Sequence, residues 1–84
     1  MNVVKLYTTP WCPYCVRAKH LLTSKGVEFD DIDVSRQPKQ RLEMEKLSRR
    51  STVPQIWIGD KHVGGCDELF ALERAGKLES MLTS

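Results

Sequence analysis

Two cysteines separated by two residues, Cys12-Pro13-Tyr14-Cys15, are the side chains of this chain best equipped for chemistry. At the first turn of a helix this spacing lets both sulfurs close one small disulfide ring, so the pair can cycle between dithiol and disulfide without rebuilding the fold. Pro13 suits the first position of a helix, where its missing N–H is not needed. Cys12 then stands at the helix N-terminus, where unpaired N–H groups and the helix dipole favour a thiolate. Cys15, one turn on, faces inward, and its natural role is the resolving thiol that attacks a mixed disulfide formed at Cys12. Inert thiols and half of a zinc site are the competing readings. Zinc needs four ligands; only Cys66, His20 and His62 remain to complete the set, and there is no second Cys-x-x-Cys or spaced His pair.

The elements that must position these thiols are legible in outline. Val3-Val4-Lys5-Leu6-Tyr7 is short, apolar and β-branched, and predicts a buried strand. A helix is predicted from Pro13 to about Lys25, with Cys15, Ala18, Leu21 and Leu22 at helical spacing and Gly26 suited to the left-handed position beyond its end. Val27 to Val34 alternates apolar and acidic residues and predicts a half-buried strand. A charged helix should run from about Pro38 to Ser48, with Leu42, Met44 and Leu47 as its core contacts. Pro54 to Ile58 and Lys61 to Gly64 flank Gly59-Asp60, a hairpin signal. Asp67 to Ala75 reads as helix, closed by Gly76, and Leu78, Met81 and Leu82 suggest a short last one. The order β-α-β-α-β-β-α predicts a four-stranded mixed sheet flanked by helices on both faces, with a right-handed parallel crossover first and an antiparallel hairpin last. A dithiol at the first strand-to-helix turn of such a pattern signals a thioredoxin-like α/β fold.

Two further segments hold candidate binding groups. Thr52-Val53-Pro54 precedes a strand. On sequence alone Pro54 reads as an ordinary trans proline; a cis bond would leave the preceding backbone N–H and C=O free for an extended, peptide-like substrate. Gly64-Gly65-Cys66-Asp67 lies between a strand and a helix, where glycines allow close backbone approach and the helix start presents N–H groups to an anion. Asp67 could cap that helix or receive a ligand ammonium. Cys66 reads as an ordinary small residue, and His20 and His62 as surface or packing residues. Trp11 borders the thiols, whereas Trp57 reads as packing on a sheet face.

Composition narrows the class further. The 84 residues suffice for one domain, 1–84, and 40% are apolar. Thirteen Lys plus Arg against 11 Asp plus Glu leave a formal +2, with no run of like charge of the length that nucleic-acid arms show. Three cysteines are too few, and odd in number, for a secreted disulfide scaffold. Met1 to Tyr7 runs directly into strand-like sequence without a signal-peptide apolar region, and no apolar run approaches membrane-spanning length. A reducing, cytoplasmic setting is therefore expected, with neither nucleic acid nor membrane as a partner.

Taken together and in this order, Cys12-Pro13-Tyr14-Cys15, Thr52-Val53-Pro54 and Gly64-Gly65-Cys66-Asp67 resemble the motifs of a dithiol glutaredoxin, and the resemblance covers essentially the whole chain. It implies a monomeric, glutathione-dependent thiol–disulfide oxidoreductase. Cys12 and Cys15 would form the redox-active disulfide, with Cys12 as nucleophile, no metal, and glutathione as co-substrate rather than a tightly bound cofactor. Val53, before a cis Pro54, would hold the cysteinyl part of glutathione; Cys66 and Asp67, after Gly65, its γ-glutamyl end. Tyr14 and Thr52 would line and border the groove. Substrates would be glutathionylated or disulfide-containing proteins, ribonucleotide reductase among them. Many members carry a lysine shortly before the first cysteine, where this chain has Thr8-Thr9-Pro10; Arg17, Lys19, Arg49 or Arg50 could replace it. Carriage of an iron–sulfur cluster by Cys12 and glutathione between two chains is the alternative. Pro13 stiffens the turn and disfavours it. A thioredoxin reduced by a flavoprotein fits less well, because the Gly-Pro pair between the cysteines is missing.

Overall fold

The computed structural model describes residues 2–83. Its elements run β1 (Val4–Thr8), α1 (Pro13–Ser24), β2 (Asp30–Asp33), α2 (Pro38–Ser48), β3 (Gln55–Ile58), β4 (Lys61–Gly64), α3 (Cys66–Arg74) and α4 (Leu78–Thr83). The sheet order is β2-β1-β3-β4, with β1 parallel to β2 and antiparallel to β3, and β3 antiparallel to β4. This is the expected four-stranded mixed sheet of a thioredoxin-like fold.

Strand alternation divides the core. Val4 and Leu6 pair with Ile58 and Ile56 and join Ala18, Leu22, Leu69, Leu78 and Leu82, which places α1, α3 and α4 on one face. Tyr7 points to the other face, where Val34 and Met44 of the α2 side cover it and Trp57 packs alongside. The Tyr7 and Trp57 rings meet edge-on at 5.3 Å between centroids. Thr8 Oγ1 donates to Asp31 Oδ1, and Asp31 Oδ2 receives Lys19 Nζ at 2.9 Å, so β1, β2 and α1 are tied where the chain turns toward the thiols. Among the described residues no helix is long and apolar enough to cross a membrane.

Three sequence expectations need correction. First, β2 covers only Asp30–Asp33 of the alternating stretch from Val27 to Val34. The residues before it are used to end α1: Gly26, at φ +73°, lets its N–H reach the Thr23 carbonyl at 3.0 Å and the Val27 N–H reach that of Leu22 at 3.1 Å. Val27 and Phe29 then pack under the helices instead of extending the strand. Second, β1 starts at Val4, leaving Val3 67% exposed, and runs on to the buried Thr8. Third, only Met44 of the three proposed α2 contacts is buried; Leu42 and Leu47 are 57% and 58% exposed. The inward row is Met44 and Ser48, four apart. Ser48 can be buried because its hydroxyl donates to the Met44 carbonyl at 2.7 Å and accepts from Arg50 N–H at 3.0 Å.

This difference sets a stability prediction. Met44→Ala should lower the unfolding free energy by about 2–5 kcal/mol through the cavity left beside Tyr7 and Val34. Leu42→Ala should change it by no more than about 0.5 kcal/mol. Urea unfolding decides between them, and equal losses in the two variants would refute this packing of α2.

Candidate active site

The first turn of α1 sets the two thiols at different depths. Cys12 is the N-cap, with extended backbone at φ −87° and ψ 117°; its carbonyl accepts from the Val16 N–H at 3.1 Å and its N–H donates to the Thr9 carbonyl at 3.4 Å. Pro13 occupies the first helical position, as its fixed φ favours. The Cys12 side chain is half-buried and makes no capping hydrogen bond to the helix, and its thiol faces the Val53 carbonyl with Sγ 3.8 Å from the oxygen. Cys15, three residues on, has no exposed surface. Burial pushes its thiol up to about 12; a backbone hydrogen bond with Thr9 opposes this, while the hydrogen bond with the Cys12 side chain adds to it. At neutral pH Cys15 is therefore a protonated thiol beneath a more accessible one.

Beside Cys12 lies a groove of about 390 Å³. One wall is the loop Thr52-Val53-Pro54 with Tyr14 of α1; the other is Gly65, Cys66, Asp67 and Glu68 at the start of α3, with Arg50 bridging them. All seven residues expected to contact a ligand from the sequence thus line one depression. The Val53–Pro54 bond is cis, as the family resemblance implies and as the residues alone do not. The glycine pair explains how the walls come together. A Cβ on Gly64, which has φ +119°, would lie 2.5 Å from Glu68 Oε1, and one on Gly65 would lie 3.3 Å from the Pro54 carbonyl oxygen. A side chain at Gly64 would collide with the capping Glu68 and strain the left-handed backbone, and one at Gly65 would press on the Pro54 carbonyl.

The cap of α3 differs from expectation. Gly65, not Asp67, is the N-cap residue, and Asp67 is exposed in the first turn. The capping carboxylate is that of Glu68, which accepts from the Gly65 N–H at 2.7 Å and pairs with Arg50 Nη1 at 2.7 Å. The Gly65 hydrogen bond first, and Arg50 second, hold the Glu68 carboxyl below the usual carboxylate range. The signal for this was present in the sequence as an acid three residues after the N-cap. Cys66, at the first position of α3, is buried, and burial raises its thiol while Arg17 opposes.

The four cations proposed in place of the missing lysine separate clearly. Arg50 lines the groove. Lys19 is held by Asp31, and the Arg17 guanidinium sits 5.2 Å over the Phe70 ring. Arg49 takes the left-handed position, φ 59°, that ends α2, and is exposed. The histidines stand apart from the thiols: His20 is exposed on α1, while His62 lies against Trp57 at 4.6 Å between ring centroids. Among the described residues no three His, Cys, Asp or Glu side chains converge as metal ligands.

A dithiol on the first strand-to-helix turn of a β2-β1-β3-β4 sheet, facing a cis-proline loop, defines a thioredoxin-like thiol–disulfide oxidoreductase. The family model described as glutaredoxin matches residues 4–63, and the chain belongs to the glutaredoxin family. A glutaredoxin of Pseudomonas aeruginosa is 56% identical over 84 residues, covering 100% of both chains. The solution structure of a glutaredoxin from Brucella melitensis superposes with a TM-score of 0.87 at 58% identity, over 98% of this chain and 89% of that one. The crystal structure of a buckwheat glutaredoxin–glutathione complex gives a TM-score of 0.91 at 32% identity, over 98% of this chain and 77% of the other.

Two measurements test the electrostatics. Iodoacetamide at about pH 7 should label Cys12 and leave Cys15 unlabelled, since the thiolate is the reactive form. Peptide mapping by mass spectrometry reads this, and comparable labelling of the two would contradict the burial of Cys15. Glu68 has its carboxyl pKa lower in the folded chain than the roughly 4.3 of an unfolded glutamate. Its contribution to stability is therefore complete above that value and is lost as pH falls through the lower, folded one. Between about pH 5 and pH 3 the urea midpoint of the wild type should fall more than that of Glu68→Gln; parallel curves would remove Glu68 from the cap.

Proposed function

We propose that this chain reduces glutathione mixed disulfides and protein disulfides, with glutathione as the electron donor. The observation that carries this reading is the single groove that begins at the Cys12–Val53 contact and continues past Pro54 to Gly65 and Asp67. An extended tripeptide with its own sulfur at Cys12 fits such a shape. Its backbone would lie along Val53, its γ-glutamyl end at Cys66 and Asp67, and a carboxylate within reach of Arg50.

The chemistry follows from the depths of the two sulfurs. The Cys12 thiolate attacks the glutathione sulfur of a mixed disulfide; the old S–S bond breaks, the substrate thiolate leaves and takes up a proton, and Cys12 carries glutathione. The thiolate of a second glutathione attacks that sulfur, releasing oxidised glutathione and restoring Cys12. With a protein disulfide, Cys12 first bonds to one substrate sulfur. Cys15 then gives up its proton and attacks Cys12, freeing the reduced protein, and two glutathiones re-reduce the Cys12–Cys15 bond. Burial holds Cys15 as a thiol, which slows its attack on Cys12 and lets a second glutathione resolve the mixed disulfide first. The odd number of cysteines supports a reducing, cytoplasmic setting for this cycle.

Coupled assays with glutathione and its reductase test the assignment. Cys12→Ser should abolish turnover of a small glutathione mixed disulfide, whereas Cys15→Ser should retain it and lose reduction of a protein disulfide. Turnover surviving in Cys12→Ser would overturn the nucleophile, and a requirement for thioredoxin reductase in place of glutathione would overturn the reductant.

A further inference from the structure

Gln55 is the most deeply buried polar side chain near the site, with no exposed surface, and the redox cycle makes no direct use of it. It starts β3 immediately after the cis proline and pairs with Tyr7 of β1, so it points to the sheet face covered by α2. Both ends of its carboxamide are engaged. Nε2 donates to the Thr52 carbonyl at 3.0 Å and reaches Thr52 Oγ1 at 3.3 Å. Oε1 lies 2.7 Å from His62 Nε2 on β4.

This arrangement has a direction. An amide nitrogen that donates to Thr52 leaves only an oxygen for His62, and a carbonyl oxygen can only accept. His62 Nε2 must therefore carry a proton. The ring is fixed in place by its contact with Trp57, which itself packs on Tyr7. Burial, and then Arg50, lower the His62 pKa, while Glu68 opposes, so the neutral ring protonated at Nε2 is the form at physiological pH. A hydrogen-bonded chain thus runs from the β3–β4 hairpin through Gln55 to the loop that forms one wall of the groove.

We propose that Gln55 is a positioning residue: braced by the Nε2–H of His62, it holds the Thr52 carbonyl and so sets the Val53–Pro54 segment against Cys12 for binding glutathione. The inference rests on the glutathione reading of the groove and adds to it the part that fixes the wall. A bound peptide-like ligand gains from a wall whose conformation is settled before binding, because less ordering remains to be done. Gln55 acts on binding through the loop; it contacts neither sulfur.

Gln55→Met keeps the side-chain length and removes all three hydrogen bonds of the carboxamide. Its KM for a glutathione mixed disulfide should rise about three- to tenfold, the worth of one net hydrogen bond, with kcat retained within about twofold. Cys12 alkylation by iodoacetamide, which needs no groove, should keep its wild-type rate. An unchanged KM in folded Gln55→Met, or an alkylation rate that falls with it, would overturn the proposal. The wild-type protein supplies a second arm that does not depend on a variant folding. Nitrogen-15 NMR at about pH 7 should show His62 protonated at Nε2 and bare at Nδ1. The opposite tautomer would reverse the Gln55 amide and overturn the proposal. A wild type that fails to prefer glutathione mixed disulfides would instead sink the glutathione reading, leaving the tautomer to decide whether Gln55 holds the loop.

Discussion

The depth of Cys15 is the constraint on which the site depends. Its sulfur lies where α1 meets the sheet, in the same inward row as Ala18 and Leu22, so the helix cannot rotate without exposing that row to water. Once this row is set, the helical repeat places Cys12 one turn earlier, at the N-terminal edge. There its carbonyl joins the helix and its side chain does not enter the core. Two identical side chains acquire different chemistry from position alone. The buried one is held as a thiol, and the one at the rim meets the loop that carries Val53.

The second wall of the groove is built from backbone and one carboxylate. Glu68 links the N-terminus of α3 to Arg50 on the opposite loop. Both partners are close to half exposed, 47% and 43%, so their ion pair is worth little in stability and is weakened by salt. Its consequence is geometric. The Gly65 N–H is held by Glu68, Gly64 leaves room for the Glu68 side chain, Gly65 lies close to the Pro54 carbonyl, and Arg50 is kept over the groove instead of extended into solvent. A cation is thus present at the site although the loop before Cys12 carries none.

Much of this was legible in the sequence because the signals were local. The Pro13 start, the Gly26 stop and the Gly59-Asp60 turn each act within a few residues, and the structure uses all three. The order of elements then left few ways to assemble the sheet. What escaped depended on partners far away in the chain. Alternation from Val27 to Val34 looked like one strand, yet β1 offers partners only from Lys5 to Thr8, and the end of α1 claimed the rest. The inward face of α2 was hidden because Ser48 is polar, and its burial relies on bonds to Met44 and Arg50 that composition does not reveal. Asp67 drew the capping role from Glu68 for a related reason: proximity to the helix start suggested the wrong acid, whereas the reach of the side chain back to Gly65 decided it.

The proline loop shows how little of the site is side-chain chemistry. Three consecutive carbonyls, those of Thr52, Val53 and Pro54, meet three different elements: the Gln55 amide that opens β3, the Cys12 thiol on α1, and the close approach of Gly65 before α3. Each contact uses an atom that every residue possesses, so the side chains of the loop are left to shape the groove while its main chain sets the distances. Glycines at positions 64 and 65, a cis bond before Pro54 and a buried amide at Gln55 are conditions on the path of the backbone. The Cys12 sulfur then needs only to be presented to that path, and the first turn of α1, anchored by Cys15, presents it.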